Sequence, residues 1–275
     1  MEKEVRLFNE DFNIKLTDTP NLKFLDFIEE DVEVKANTTE INGTDGVLSG
    51  PINFGPFNLV LNFSFKGLDT KDLRLYKQKI RDIVYRREPY YVWHSDAPGK
   101  KYAVYCDSNE NDDLTNSFAT FKITFVVVKG YSESLKETDK FSLSSGEWQF
   151  EGGLLTDDEI KYKHDKTSFK IYNGSSDVIN PLLRHKFKLL INIDSPKGFK
   201  ITNKTTGDVF KYKKAIRNNQ TLTISGLHPF IDNKRVGIDT NWQWITLEKG
   251  FNEIEITGEN ISNVQTHWVF PFIYR

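Results

Sequence analysis

From Thr167 onward the chain breaks into short alternations of apolar and polar residues, each closed by Gly, Asn, Asp or Pro. "TSFKIYN" stops at "GSSD", and "KFKLLINID" stops at Ser195-Pro196. "GFKITN" and "DVFKY" flank "KTTG"; "QTLTISG" follows; "WQWITL" and "FNEIEITG" flank "EKG"; "THWVFPFIY" comes last. Side chains of a strand point alternately to opposite faces, so each segment can bury one face and solvate the other. Turns this short join antiparallel strands, because a parallel pair needs a long crossover. A cadence of about 8–12 residues per strand therefore predicts an antiparallel β-sandwich. No internal repeat points to a propeller or solenoid.

The first half follows the same logic with one interruption. In "NLVLNFSFKG", Leu59, Leu61, Phe63 and Phe65 share a face, and Asn58, Asn62 and Ser64 share the other. "SFATFKITFVVV" lines Ala119, Phe121, Ile123, Phe125 and Val127 along one face. Leu22–Lys35 alternates loosely and leads into "ANTTEINGTDG", which reads as a turn-rich loop. "YYVWHS" and "KYAVYC" flank "DAPG" as a hairpin. Ahead of that hairpin, "LDTKDLRLYKQKIRDIVYRRE" places Leu73, Tyr76, Ile80 and Ile83/Val84 at helical spacing. Asp69 is the expected N-cap, Asp72 and Arg86/Arg87 suit the helix dipole, and Pro89 stops the run. The abundance of aromatics, with 21 Phe and 11 Tyr, also favours sheets. The polar run Lys129–Gly146 is the expected boundary, giving domains 1–134 and 135–275.

Little in the sequence carries reactive chemistry. A formal net charge of -2, with both signs interspersed, gives no nucleic-acid or membrane footprint. The first residues show no basic start with an apolar run, so neither export nor a membrane span is expected, and the chain is expected to fold in a cytosol. Cys106 is the single cysteine, which excludes an internal disulfide and a Cys-rich zinc site. The acidic stretch "DSNENDD" matches a calcium loop only in part. Asp107, Asn109 and Asn111 fit, but Asp112 stands where Gly is needed and Phe118 where a bidentate Glu is needed. A solvated loop is the expectation, and a looser calcium site is the alternative.

His94, His164, His185, His228 and His267 form no metal-ligand spacing, and His164 and Asp165, as neighbours on a strand, would point apart. No phosphate-loop, dinucleotide or nucleophile-elbow motif is present, and Gly152-Gly153 reads as a turn. No catalytic, cofactor-binding or metal-binding residue is assigned. Trp242 and Trp244, two apart and so on one face of a strand, together with Trp268, are candidates for stacking on a sugar; filling the sandwich core is the other reading.

The order of these segments resembles the distal tail protein (Dit) family of long-tailed, non-contractile (siphovirus) bacteriophages of Gram-positive hosts. "FKIYNGSSDVINPLLRHKFKLLINID" looks like the family's entry into its C-terminal domain. "GFKITNKTTGDVFKY", "QTLTISG" and "WQWITLEKGFNEIEITG", with its hydrophobic-Thr-Leu-x-x-Gly-x-Asn pattern, then follow in the family's order. "CDSNENDDLTNSFATFKITFVVVKGYSES" resembles the last strand and exit of the belt domain. The likeness covers about residues 55–275; residues 1–40 lack the glycine of the short hairpin with which such proteins often open.

The resemblance implies a mainly β protein: an N-terminal β-sandwich belt with one helix and a hairpin, and a C-terminal galectin-like sandwich. It implies a non-enzymatic, hexameric ring at the virion tail tip. Its partners would be the tail tube protein and a tail-associated lysin or fibre protein, with tape-measure and receptor-binding proteins as further candidates. The alternative is a carbohydrate-binding module for host cell-wall sugars.

Overall fold

A computed structural model of the chain describes residues 3–142, 148 and 160–275; the turn expected at Gly152-Gly153 lies outside the described residues. The chain divides into two compact units, Met1–Glu133 with Arg275, and Ser134–Tyr274.

The first unit contains β1 (Val5–Phe8), β2 (Asn13–Lys15), β3 (Leu22–Glu29), β4 (Val34–Glu40), β5 (Val47–Phe54) and β6 (Phe57–Lys66). Helix α1 (Thr70–Val84), β7 (Tyr90–His94), β8 (Lys100–Asp113) and β9 (Phe118–Val127) follow, and β10 (Ser132–Ser134) crosses the boundary between the units. Seven strands form an antiparallel sheet in the order β2-β1-β7-β8-β9-β6-β3. Its inner face is the one the alternation predicts: Leu59, Leu61, Phe63 and Phe65 of β6 and Phe121, Ile123, Phe125 and Val127 of β9 are all buried. The sheet curls, so strands distant in pairing order meet across the core; Phe24 and Phe27 of β3 lie 5.9 and 4.3 Å from the His94 ring of β7.

Helix α1 forms for the expected reasons. The Asp69 carboxylate accepts from the Asp72 backbone N–H at 2.8 Å, satisfying an amide with no partner inside the helix. Leu73, Tyr76, Ile80 and Val84 are its buried stripe. Tyr76 stacks on Phe65 at 3.8 Å and meets Phe121 edge-on at 5.5 Å, which fastens the helix to the sheet. The opening hairpin forms without glycine: the Asn9 side-chain oxygen accepts from the backbone N–H of Asp11 and of Phe12, doing locally what a glycine turn does by conformation.

Two segments differ from expectation. "DSNENDD" is strand rather than loop: β8 runs to Asp113 and pairs with β9 throughout, with a register shift between Cys106 and Ser108. Both faces of this stretch are polar, so periodicity is silent there, and the strong partner strand decides the pairing. The first five residues of "ANTTEINGTDG" are likewise strand and only its last six are turn: β4 and β5 form a separate antiparallel ribbon that turns at residues 41–46.

The second unit is a two-sheet antiparallel sandwich. Its strands are β11 (Lys163–His164), β12 (Ser168–Asn173), β13 (Lys188–Asp194), β14 (Phe199–Asn203), β15 (Val209–Tyr212) and β16 (Leu222–Ser225). After them come β17 (His228–Ile231), β18 (Lys234–Arg235), β19 (Gly250–Gly258), β20 (Ser262–Val269) and β21 (Ile273–Tyr274). One sheet runs β11-β20-β13-β16-β17-β18 and the other β12-β19-β14-β15. Leu189, Ile191, Ile224 and Trp268 from the first sheet, and Ile171, Ile201, Ile254 and Ile256 from the second, fill the interior.

"WQWITL" is not a strand. Trp242 has φ 56°, and the segment's one bridge pairs Leu247 with Ile179. Side chains supply its other partners. Asn241 accepts from Lys211 N–H and donates to the Val209 carbonyl, and the Asp208 carboxylate accepts from the Thr246 N–H.

Candidate functional site

The residues that looked most chemical have ordinary partners. In the acidic stretch, Asp113 pairs with Lys77 at 2.5 Å and Glu110 with Lys122 at 3.5 Å across the ladder. No group of three or more His, Cys, Asp or Glu placed to hold a metal occurs among the described residues. Burial pushes the Cys106 thiol up to about 12, the wrong direction for a nucleophile.

The histidines are held apart. His164 stacks on Phe169 at 4.2 Å and its Nε2 engages the Lys161 carbonyl at 2.9 Å. His185 Nδ1 accepts from the Asn180 N–H, closing the turn after "NP". His94 is wholly buried in the first unit, and His228 is exposed on β17.

The three tryptophans form no common platform. Trp268 is fully buried and lies between Phe169 and Phe187, at 6.2 and 5.9 Å. Trp244 is half-buried, with its indole N–H on the Leu227 carbonyl. Trp242 is 59% exposed and its ring lies against Gly237. With no strand at this place, the premise of a shared face for Trp242 and Trp244 fails.

The feature that stands out is the β4–β5 ribbon. Every residue of both strands is exposed. Yet Val34 pairs with Phe54 and Ala36 with Ile52, which places four apolar side chains on one face, and Val47 and Leu48 are also exposed further along. A two-stranded ribbon that buries nothing is marginal in water, and an exposed apolar strip of this kind marks a protein contact. Its base is anchored where the Gly55 N–H meets the Glu33 carbonyl at 2.7 Å and the Arg275 guanidinium lies 4.2 Å over the Phe54 ring.

The chain thus combines a curled N-terminal sheet carrying one packing helix and an exposed ribbon with a β-sandwich. Residues 11–127 match the family model described as the phage tail protein RIFT-related domain. Among solved structures, the SPP1 Dit protein (gp 19.1), described as a paradigm of the hub adsorption apparatus in Gram-positive infecting phages, superposes with a TM-score of 0.72. That similarity covers 100% of both chains at 12% identity. The phage p2 baseplate in its activated conformation, with Ca and with Sr, is also similar, at a TM-score of 0.43, 12% identity and 98% of each chain. No curated protein matches the chain. Residues 11–127 are thus similar to the phage tail RIFT-related family, and the whole chain has the distal-tail fold.

Proposed function

We propose that this protein is the non-enzymatic hub of the phage tail tip: a ring of six copies that joins the tail tube to a tail-associated lysin or fibre protein. In this reading the first unit is the belt that closes the ring, and the second is a galectin-like sandwich available to other baseplate and receptor-binding proteins. Assembly takes place in the host cytoplasm.

The observation that carries the reading is the β4–β5 ribbon, exposed on both faces while carrying Val34, Val47, Leu48, Ile52 and Phe54. A heterologous contact repeated around a closed ring would cover such a ribbon on every subunit with no partner of another kind. The tail-protein family match and the distal-tail fold support the same reading. The test is light scattering combined with electron microscopy of the purified chain. The expected result is a particle near six times the 31.9 kDa chain mass, with sixfold views. A monomer at every concentration, both alone and with tail tube protein added, would overturn it.

A further inference from the structure

The outward face of the six-stranded sheet in the second unit carries side chains set in a row by the ladder. Lys163 stands opposite His267, His267 opposite Leu190, and Leu190 opposite Thr223. Lys188, two residues before Leu190, lies on the same face. Their sequence neighbours Leu189, Thr266 and Trp268 are buried in the sandwich, so the row faces solvent. A groove of about 520 Å³ opens here, walled by Lys163 and His267 on one side and by Asn192 and Gln265 on the other. That volume suits a ligand of one or two sugar rings.

The charges around the groove are unbalanced. Lys161 and Lys163 line it with no salt bridge to either among the described residues, and Lys188 lies beside it on the same face, against a neighbouring pocket. His267 lies between Lys163 and Lys188, both of which oppose its protonation, and its Nε2 is buried without a hydrogen-bond partner. Burial and these two ammoniums together hold the imidazole below its ordinary range, against the opposing pull of Asp139. Asp165 is the other carboxylate at the groove. A buried polar nitrogen between unneutralised ammoniums is unsatisfied until an anion arrives. Lys161, Lys163 and His267 line one groove, and three such donors suit the terminal oxygens of a phosphate better than a planar carboxylate.

The remaining wall is neutral and polar. The Asn192 amide donates to the Asn218 carbonyl and the Thr221 hydroxyl, which leaves its side-chain oxygen as an acceptor toward the groove. Gln265 is exposed, with both ends of its amide free. These are groups that bind hydroxyls.

We propose that this groove binds a phosphate-bearing sugar or polyol, with the phosphate on Lys161, Lys163 and His267 and the hydroxyls on Asn192 and Gln265. The site lies on the outward face of one subunit and does not depend on ring assembly.

The test is ligand-observed NMR on the full chain with glucose 1-phosphate, inorganic phosphate and glucose. Glucose 1-phosphate is expected to bind with a Kd on the order of millimolar or tighter, roughly fivefold better than inorganic phosphate, and glucose alone is expected not to bind. The double variant Lys161→Ser/Lys163→Ser, at exposed positions that leave folding intact, should weaken binding at least ~10-fold. His267→Gln should also weaken binding relative to the parent chain at the same pH. Absence of saturable binding by either phosphate compound, or binding that survives the double variant, would overturn the site. Equal affinity for inorganic phosphate and glucose 1-phosphate would overturn the sugar half of the proposal.

Discussion

The imidazole of His94 lies 4.3 Å from the ring of Phe27, inside the first unit's core, with both of its nitrogens buried and unpartnered. Tyr102 stacks on its other side at 5.7 Å. A cation placed there would be desolvated with no counter-charge in contact, so burial lowers its pKa from 6.5 to about 4. The unfolded chain therefore binds a proton that the folded chain refuses between those two values. Stability is intact above about pH 6.5 and falls as pH drops toward 4, by about 3 kcal/mol from this group. Urea unfolding followed through Trp93 at several pH values should show that slope. His94→Leu, which needs no proton and no hydrogen bond, should flatten it while keeping stability at neutral pH within about 1.5 kcal/mol.

Asn252 holds two turns of the second unit together. Its amide donates to the Glu248 carbonyl at 2.8 Å, while its oxygen accepts from the Glu248 N–H and from the Asn203 amide. Asn203 in turn accepts from the Thr205 N–H, closing the "KTTG" turn. Both side chains are fully buried. Asn252→Ala would strand several of these groups at once, so a loss of about 2–4 kcal/mol is expected in chemical denaturation. Asn252→Asp should also destabilise, because it removes the donor and buries a charge.

The tryptophans separate by the same physics. Trp268→Ala removes a fully buried ring between Phe169 and Phe187 and should cost about 3–5 kcal/mol, read as a lower melting temperature of the second unit. Trp242→Ala removes a ring that is 59% exposed and should cost under about 1 kcal/mol. Sugar stacking by tryptophan, if measured, should therefore be sensitive to Trp242 in protein that remains folded. Loss of sugar binding in Trp268→Ala alone would report unfolding.

How much of this was legible in the sequence depended on who supplies each segment's partners. β6 and β9 bury their own alternating faces, so Leu59–Phe65 and Ala119–Val127 could be read directly. Helix α1 was legible down to its cap at Asp69, because capping is local. Asn252 and its Thr-Leu-x-x-Gly-x-Asn pattern were recognisable as a motif before the turn they close was visible. "DSNENDD" misled because its strand character comes from β9 across the ladder rather than from its own residues. "WQWITL" misled in the opposite sense: its alternation is strand-like, but Asn241 and Asp208 provide its contacts. His267 read as an ordinary histidine, since only the register of β11, β20 and β13 brings Lys163 and Lys188 around it.

Residues 36–46, the end of β4 and the turn into β5, have the composition of a loop for a related reason, and the β4–β5 ribbon gives the sharpest test of assembly. Its apolar face, Val34, Ala36, Ile52 and Phe54, gains no burial within the chain, so the folded subunit should be indifferent to a charge there. Ile52→Glu should shift the melting temperature hardly at all, by under about 0.5 kcal/mol in stability. In a ring whose subunits grip one another through this ribbon, each new carboxylate would be buried without a partner. One substitution would then be repeated at every interface, at several kcal/mol each. Light scattering should accordingly show the assembled particle replaced by monomer, with an unchanged circular dichroism spectrum. Thr38→Glu, away from those four side chains beyond the register shift, should leave the particle largely intact. If Ile52→Glu assembles as well as the parent chain, the ribbon is not the contact that closes the ring.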